Sequence, residues 1–203
     1  MLKIGLTGNY FSGFEKVGNV YRNMGVPIFD ADLIIKFMFY NNSITIDKIR
    51  AEFGKSVFKD NFLNMDAFRN PERFHTLVRV IELDLIRAYE KWRLSNSNAK
   101  FTIFKTQILF EMNWNNIMNM NIVVFRPNGL RVNDIQTKQG LKTTEVYNMI
   151  DNEMDPLQKN ELSNYVIHNY ASCNDTIERQ IEGINKSILA KSVQIETGIW
   201  ETT

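Results

Sequence analysis

Two glycines, Gly8 and Gly13, bracket the stretch Gly8-Asn9-Tyr10-Phe11-Ser12-Gly13, which joins a short apolar run to a helical pattern. Glycines at that spacing, between a strand and a helix, are the frame of a phosphate-binding loop, G-x-x-x-x-G-K-[ST]. Such a loop holds phosphate on backbone amides at the positive end of the following helix. The lysine and the hydroxyl that complete the motif are replaced by Phe14 and Glu15. Gly8, Asn9, Ser12, Gly13, Phe14 and Glu15 thus outline a degenerate nucleotide loop, with the scaffold kept and its two chemical groups gone. Phe11 stands where a small residue would let backbone approach phosphate. Lys16 is a poor substitute for the missing lysine, because two positions along a helix turn a side chain about 200° away.

The elements that must carry this loop follow from periodicity. Residues 3–6 read as a buried strand and residues 13–24 as a helix with Val17, Val20 and Tyr21 inward, ended by Gly25. A second strand over 26–29 leads to Asp30-Ala31-Asp32, where an aspartate suits a helix cap. Residues 32–95 read as mostly helical, the longest stripe being Phe74, Leu77, Val78, Ile81, Leu85, Ile86 and Tyr89. That block is too long for one crossover helix, so a helical substrate-side insertion is expected. Strands are expected over 101–104, 121–125 and 165–167, and helices over 145–153 and 176–192. The polar stretch 128–144 reads as a mobile, lid-like segment and 194–203 as a loose tail. Strands alternating with helices imply an α/β fold: a parallel five-stranded sheet with helices on both faces and its ligand crevice at the strand carboxyl ends.

Bulk properties narrow the partners. The 203 residues suit one domain, expected over 1–193, and a charge of +1 offers no global case for nucleic acid or a membrane surface. No apolar run approaches the roughly 18 residues that span a bilayer. Two histidines and one cysteine exclude a zinc cluster, and no metal is expected. Cys173 cannot form an internal disulfide and has no basic neighbour in sequence, so an inert thiol in a reducing cytoplasm is expected. A strand at the very start leaves no room in this sequence for a signal peptide. Abundant Asn, Ile and Lys suggest an AT-rich genome, such as that of a virus.

Five further stretches fall in order along the chain. They are Ile4-Gly5-Leu6-Thr7-Gly8, Gly25-Val26-Pro27-Ile28-Phe29-Asp30-Ala31-Asp32, His75-Thr76-Leu77-Val78-Arg79, Ile108-Leu109-Phe110-Glu111 and Tyr165-Val166-Ile167-His168-Asn169. With them the chain resembles dephospho-CoA kinase, a P-loop kinase that phosphorylates the ribose 3′-hydroxyl of dephospho-CoA with ATP. The resemblance runs to about residue 185 and implies a P-loop kinase-type fold. It also implies Asp32 as base for the acceptor hydroxyl, with Asp30, His75, Arg79 and Glu111 on the substrate. The segment before His75 is shorter than the family's, and several family positions have changed. The acidic residue ending the third strand is Lys105, the nearby proline is Gln107, and the two lid arginines are Asp134 and Lys138.

Losing one preorganised charge costs phosphoryl transfer roughly 3–4 kcal/mol, so several losses together should leave negligible activity. The first expectation is therefore a catalytically impaired protein that acts by binding a protein partner or a CoA-like ligand, without cofactor. An active ATP- and Mg²⁺-dependent dephospho-CoA or nucleotide kinase, with Lys105 as a relocated catalytic lysine and Glu15 as metal ligand, is the alternative. A structural block of a larger assembly is the third, with Tyr10, Phe11 and Trp114 as its aromatic anchors. Glu15 and Lys105 replace two family positions that face each other around Mg²⁺. They are expected to pair, with Glu15 also accepting amides at the helix start.

Overall fold

The computed structural model describes residues 1–170 and 174–197. Cys173 and the last six residues of the expected tail, 198–203, lie outside the described residues. In chain order the elements begin with β1 (Leu2–Gly8), α1 (Phe14–Asn23), β2 (Ile28–Asp30), α2 (Ala31–Asn41) and α3 (Ser43–Phe53). A two-stranded hairpin, β3 (Phe58–Lys59) and β4 (Phe62–Leu63), precedes the long α4 (Pro71–Ser95). Then come β5 (Phe101–Lys105), β6 (Met120–Phe125), α5 (Asn128–Gln139), α6 (Thr143–Asp151), α7 (Pro156–Glu161), β7 (Tyr165–His168) and α8 (Asn174–Thr197). The chain divides into two compact units, residues 1–29 with 95–203 and residues 30–94.

The first unit is built on the sheet β2-β5-β1-β6-β7. Its centre is β1, buried at every position except Lys3, as a strand covered on both faces must be. Parallel pairing sets Leu6 opposite Lys105 on β5 and Gly8 opposite Val124 on β6. The loop after β1 therefore leaves the middle of the sheet at its carboxyl edge, where neighbouring strands supply side chains to it. Val17 and Tyr21 of α1 pack with Ile4, Leu6 and Ile122 of the sheet and with Ile177, Ile181, Ile184 and Ile188 of α8. Those isoleucines recur at helical spacing, which is why α8 holds one face against this core.

The segment 128–144, expected to be mobile, is instead mostly the helix α5 followed by a tight link to α6. Its buried apolar residues, Val132 and Ile135, join Val146 and Ile150 of α6 in a small cluster of their own. Helix α7, capped by Asp155 through the Leu157 amide at 2.7 Å, was not anticipated. The final helix reaches Thr197, beyond the residue 192 expected.

The second unit, 30–94, has its own order. Asp30 caps α2 by accepting the Leu33 amide at 3.2 Å, and Asn42 caps α3 through the Thr45 amide at 3.1 Å. The hairpin, also unanticipated, turns on Asp60 and Asn61 at φ of 51° and 66°, the conformation that a tight two-residue hairpin requires. Helix α4 buries Leu77, Val78, Ile81, Leu85 and Tyr89 along one stripe, and the Lys48–Asp84 ion pair ties it to α3.

Candidate functional site

The loop is shaped by its two ends. Gly13 sits at φ of 94°, a backbone state costly for any side-chain-bearing residue, and α1 starts immediately after it. Close approach matters as well, since a Cβ on Gly13 would stand 2.5 Å from Asn169 Nδ2. That amide donates to the Ser12 carbonyl at 2.8 Å and braces the loop from the end of β7. Ser12 and Asn9 are buried, and Asn9 Nδ2 donates to the Met154 carbonyl at 2.8 Å. Asn169 belonged to a recognised motif, yet nothing in the motif itself disclosed this bracing role.

At position 14 the phenyl ring is buried in the core with Leu6 and Val17. Lys105, brought in by β5, places its ammonium 5.5 Å from the centre of that ring and donates to Glu15 Oε2. The expected charge-swapped pair is therefore formed. Its members differ sharply: the Lys105 side chain is 3% exposed and that of Glu15 62%. The second half of the expectation fails, because Glu15 makes no hydrogen bond to the helix-start amides among the described residues, and Gly13 caps α1 without a side chain. Lys16 points outward.

A second cluster, which sequence reasoning missed, lies on the loop's other limb. Glu153, in the turn between α6 and α7, accepts from the Tyr10 amide at 2.7 Å, Gln107 Nε2 at 2.9 Å and the Arg131 guanidinium. Arg131 is fully buried and also donates from Nε to the Tyr10 carbonyl at 2.7 Å. Tyr10 and Phe11 are half-buried and lie on the α5–α6 cluster. Lys138 sits over the Phe11 ring at 5.5 Å, and Asp134 pairs with Arg126 at 2.8 Å, so both residues expected at lid positions have local partners. Trp114 is buried edge-on to Phe104 and offers no surface anchor.

The residues that the resemblance puts on the acceptor have separate settings. Asp30 serves as the α2 cap, and Asp32 follows in the first turn, half-buried. His75 and Arg79 lie one turn apart on α4, the first half-buried and the second exposed. Glu111 belongs to the first unit, where its Oε1 takes the ammonium of the buried Lys159 at 2.8 Å. Lys159 also donates to the Gln107 carbonyl at 2.8 Å. Because α7 was not foreseen, neither was this partner.

The residues at the loop do not fit the magnesium ion that the resemblance implies. The position that should offer a hydroxyl is a carboxylate already engaged by an ammonium. The strand position that should offer a carboxylate is that ammonium. No group of three or more His, Cys, Asp or Glu among the described residues is arranged to hold a metal. Likewise, no helix among them is long and apolar enough to cross a membrane.

Comparison with known proteins agrees with this architecture. A family model described as dephospho-CoA kinase matches residues 2–175. Dephospho-CoA kinase of Dichelobacter nodosus is 28% identical over 193 residues, covering 92% of this chain and 97% of its own. A crystal structure from Thermus thermophilus superposes with a TM-score of 0.74 at 25% identity, over 94% of this chain and 97% of that one. Shikimate kinase from Bacteroides thetaiotaomicron shares the fold, with a TM-score of 0.53 at 16% identity over 92% of this chain and 98% of that one.

Proposed function

The chain belongs to the dephospho-CoA kinase family, and from that premise we propose that it is a catalytically impaired member that acts by binding, to a CoA-like ligand or a protein partner, without transferring phosphate. One observation carries the reading: Lys105 and Glu15 are engaged with each other at the loop where a kinase needs a lysine and a hydroxyl facing the nucleotide. Phosphoryl transfer depends on fixed positive charge at the β- and γ-phosphates. Phe14 supplies none, and the Lys105 ammonium at the helix start is paired with a carboxylate. That carboxylate is more than half exposed and would repel a triphosphate. Asp30, Asp32, His75 and Arg79 remain as groups that can meet a polar ligand, Arg79 suiting a phosphate. No cofactor is needed for this role, and a single cysteine suits a reducing cytoplasm.

Calorimetric titration with Mg-ATP and, separately, with dephospho-CoA tests the reading. Binding of dephospho-CoA without binding of Mg-ATP is the expected result for a CoA-ligand protein. Binding of neither directs the search to a protein partner. Micromolar affinity for Mg-ATP contradicts the proposal.

A second reading has one observation in its favour. Lys105 brings an ammonium to the start of α1 from a neighbouring strand, where a relocated catalytic lysine would have to stand. Phosphorylation of dephospho-CoA that disappears in Lys105→Ala would establish it.

A further inference from the structure

The Glu153 carboxylate is the meeting point of the loop, the strand end after β5 and the helix α5. Its donors are the Tyr10 amide, Gln107 Nε2, Asn9 Nδ2 at 3.3 Å and the guanidinium of Arg131. Arg131 spends its remaining hydrogen bonds on the Tyr10 carbonyl and on Asn128 Oδ1 at 2.8 Å. Tyr10 is therefore held by both its amide and its carbonyl, from two residues that are themselves ion-paired. Charge-assisted bonds away from water are the strong kind.

Apolar contacts reinforce the same junction. The Tyr10 and Phe11 rings meet edge to face at 4.8 Å and rest on Val132, Ile135, Val146 and Ile150. Gln139 Nε2 donates to the Tyr10 hydroxyl at 2.5 Å. Phe11 is held at φ of 60°, a state that a bulky residue keeps only where its surroundings impose it.

We propose that Glu153, Arg131 and the Tyr10–Phe11 tip form a latch that fastens the α5–α6 hairpin to the loop, making the hairpin a fixed wall of the first unit and not a lid that closes on nucleotide. The latch uses residues other than Glu15 and Lys105 and stands whether or not the chain transfers phosphate.

Amide hydrogen exchange on the full chain, with and without Mg-ATP, tests the latch in the native protein, in Phe11→Gly and in Glu153→Gln. The native hairpin, residues 128–151, should be protected and unchanged by Mg-ATP. In both variants its exchange should rise at least about tenfold while β1 and β6 stay protected. Should Glu153→Gln fail to fold, Phe11→Gly decides alone, since glycine adopts that φ without strain and loses only the ring contacts. Rapid exchange of the native hairpin, protection gained on adding Mg-ATP, or an unchanged hairpin in Phe11→Gly would each overturn the proposal.

Discussion

Lys105 and Glu15 form one ion pair, but they should respond very differently to substitution. Lys105 is almost wholly buried, so removing Glu15 takes a carboxylate partner from a desolvated ammonium. Glu15→Ala is expected to cost about 1–3 kcal/mol. Lys105→Met keeps the volume, removes the buried charge and leaves a carboxylate already largely in water. It should fall within about 1 kcal/mol of the native protein, in either direction. Urea denaturation of the two variants checks the asymmetry, and equal losses would mean the pair is an ordinary surface contact. Tyr21 gives a second test at this scale. Its hydroxyl is buried without a hydrogen-bond partner among the described residues, and burial, followed by the Tyr165 charge, pushes its phenol well above the usual range. The folded-state pKa thus lies above the unfolded value of about 10. Its contribution to stability is complete below about pH 10 and lost as the pH rises from there toward the folded pKa. Tyr21→Phe should stabilise the protein by about 1 kcal/mol near neutrality and remove that alkaline loss, as denaturation at about pH 8 and about pH 11 would reveal.

Among the elements, the junction from β1 through the loop to α1 depends most on a single position. Gly13→Ala would force a Cβ onto Asn169 and place alanine at a strained φ. A loss of about 1–3 kcal/mol is expected, with the Ser12–Asn169 bond broken. Leu85→Ala, on the buried stripe of α4, should cost about 2–5 kcal/mol by leaving a cavity. Both losses are readable from thermal or urea unfolding. The elements legible in the sequence were those whose burial writes a strong pattern: the apolar run of β1, the isoleucines of α8 and the long stripe of α4. Helix α5 was not, because only three of its positions are apolar, one of them exposed, and one of its fully buried side chains is an arginine. An Arg131 that looks solvated in sequence is in fact neutralised by Glu153, more than twenty positions away, and nothing local announces that partner. The hairpin at Asp60-Asn61 escaped notice for a similar reason, its strands being only two residues each.

For the whole molecule, the proposed function separates the fold from the chemistry of the loop. The five-stranded parallel sheet and its crossovers match the Thermus thermophilus structure, because they rest on apolar positions that tolerate exchange of one hydrophobe for another. The proposed loss of phosphate chemistry rests on three residues, Phe14 and Glu15 after Gly13 and Lys105 at the end of β5. Altered charges there were visible in the sequence once the motif was aligned, as was the pairing of Glu15 with Lys105. The bracing of the loop by Asn169, Glu153 and Arg131 became visible only when the fold brought distant segments together. The central claim, that family membership here no longer carries phosphoryl transfer, is tested most directly by incubating the purified chain with Mg-ATP and dephospho-CoA and measuring ADP formation alongside Lys105→Ala. The account predicts no dephospho-CoA-dependent ADP above the protein-free rate in either sample. Turnover in the native chain that is lost in Lys105→Ala would contradict it and make Lys105 a catalytic residue.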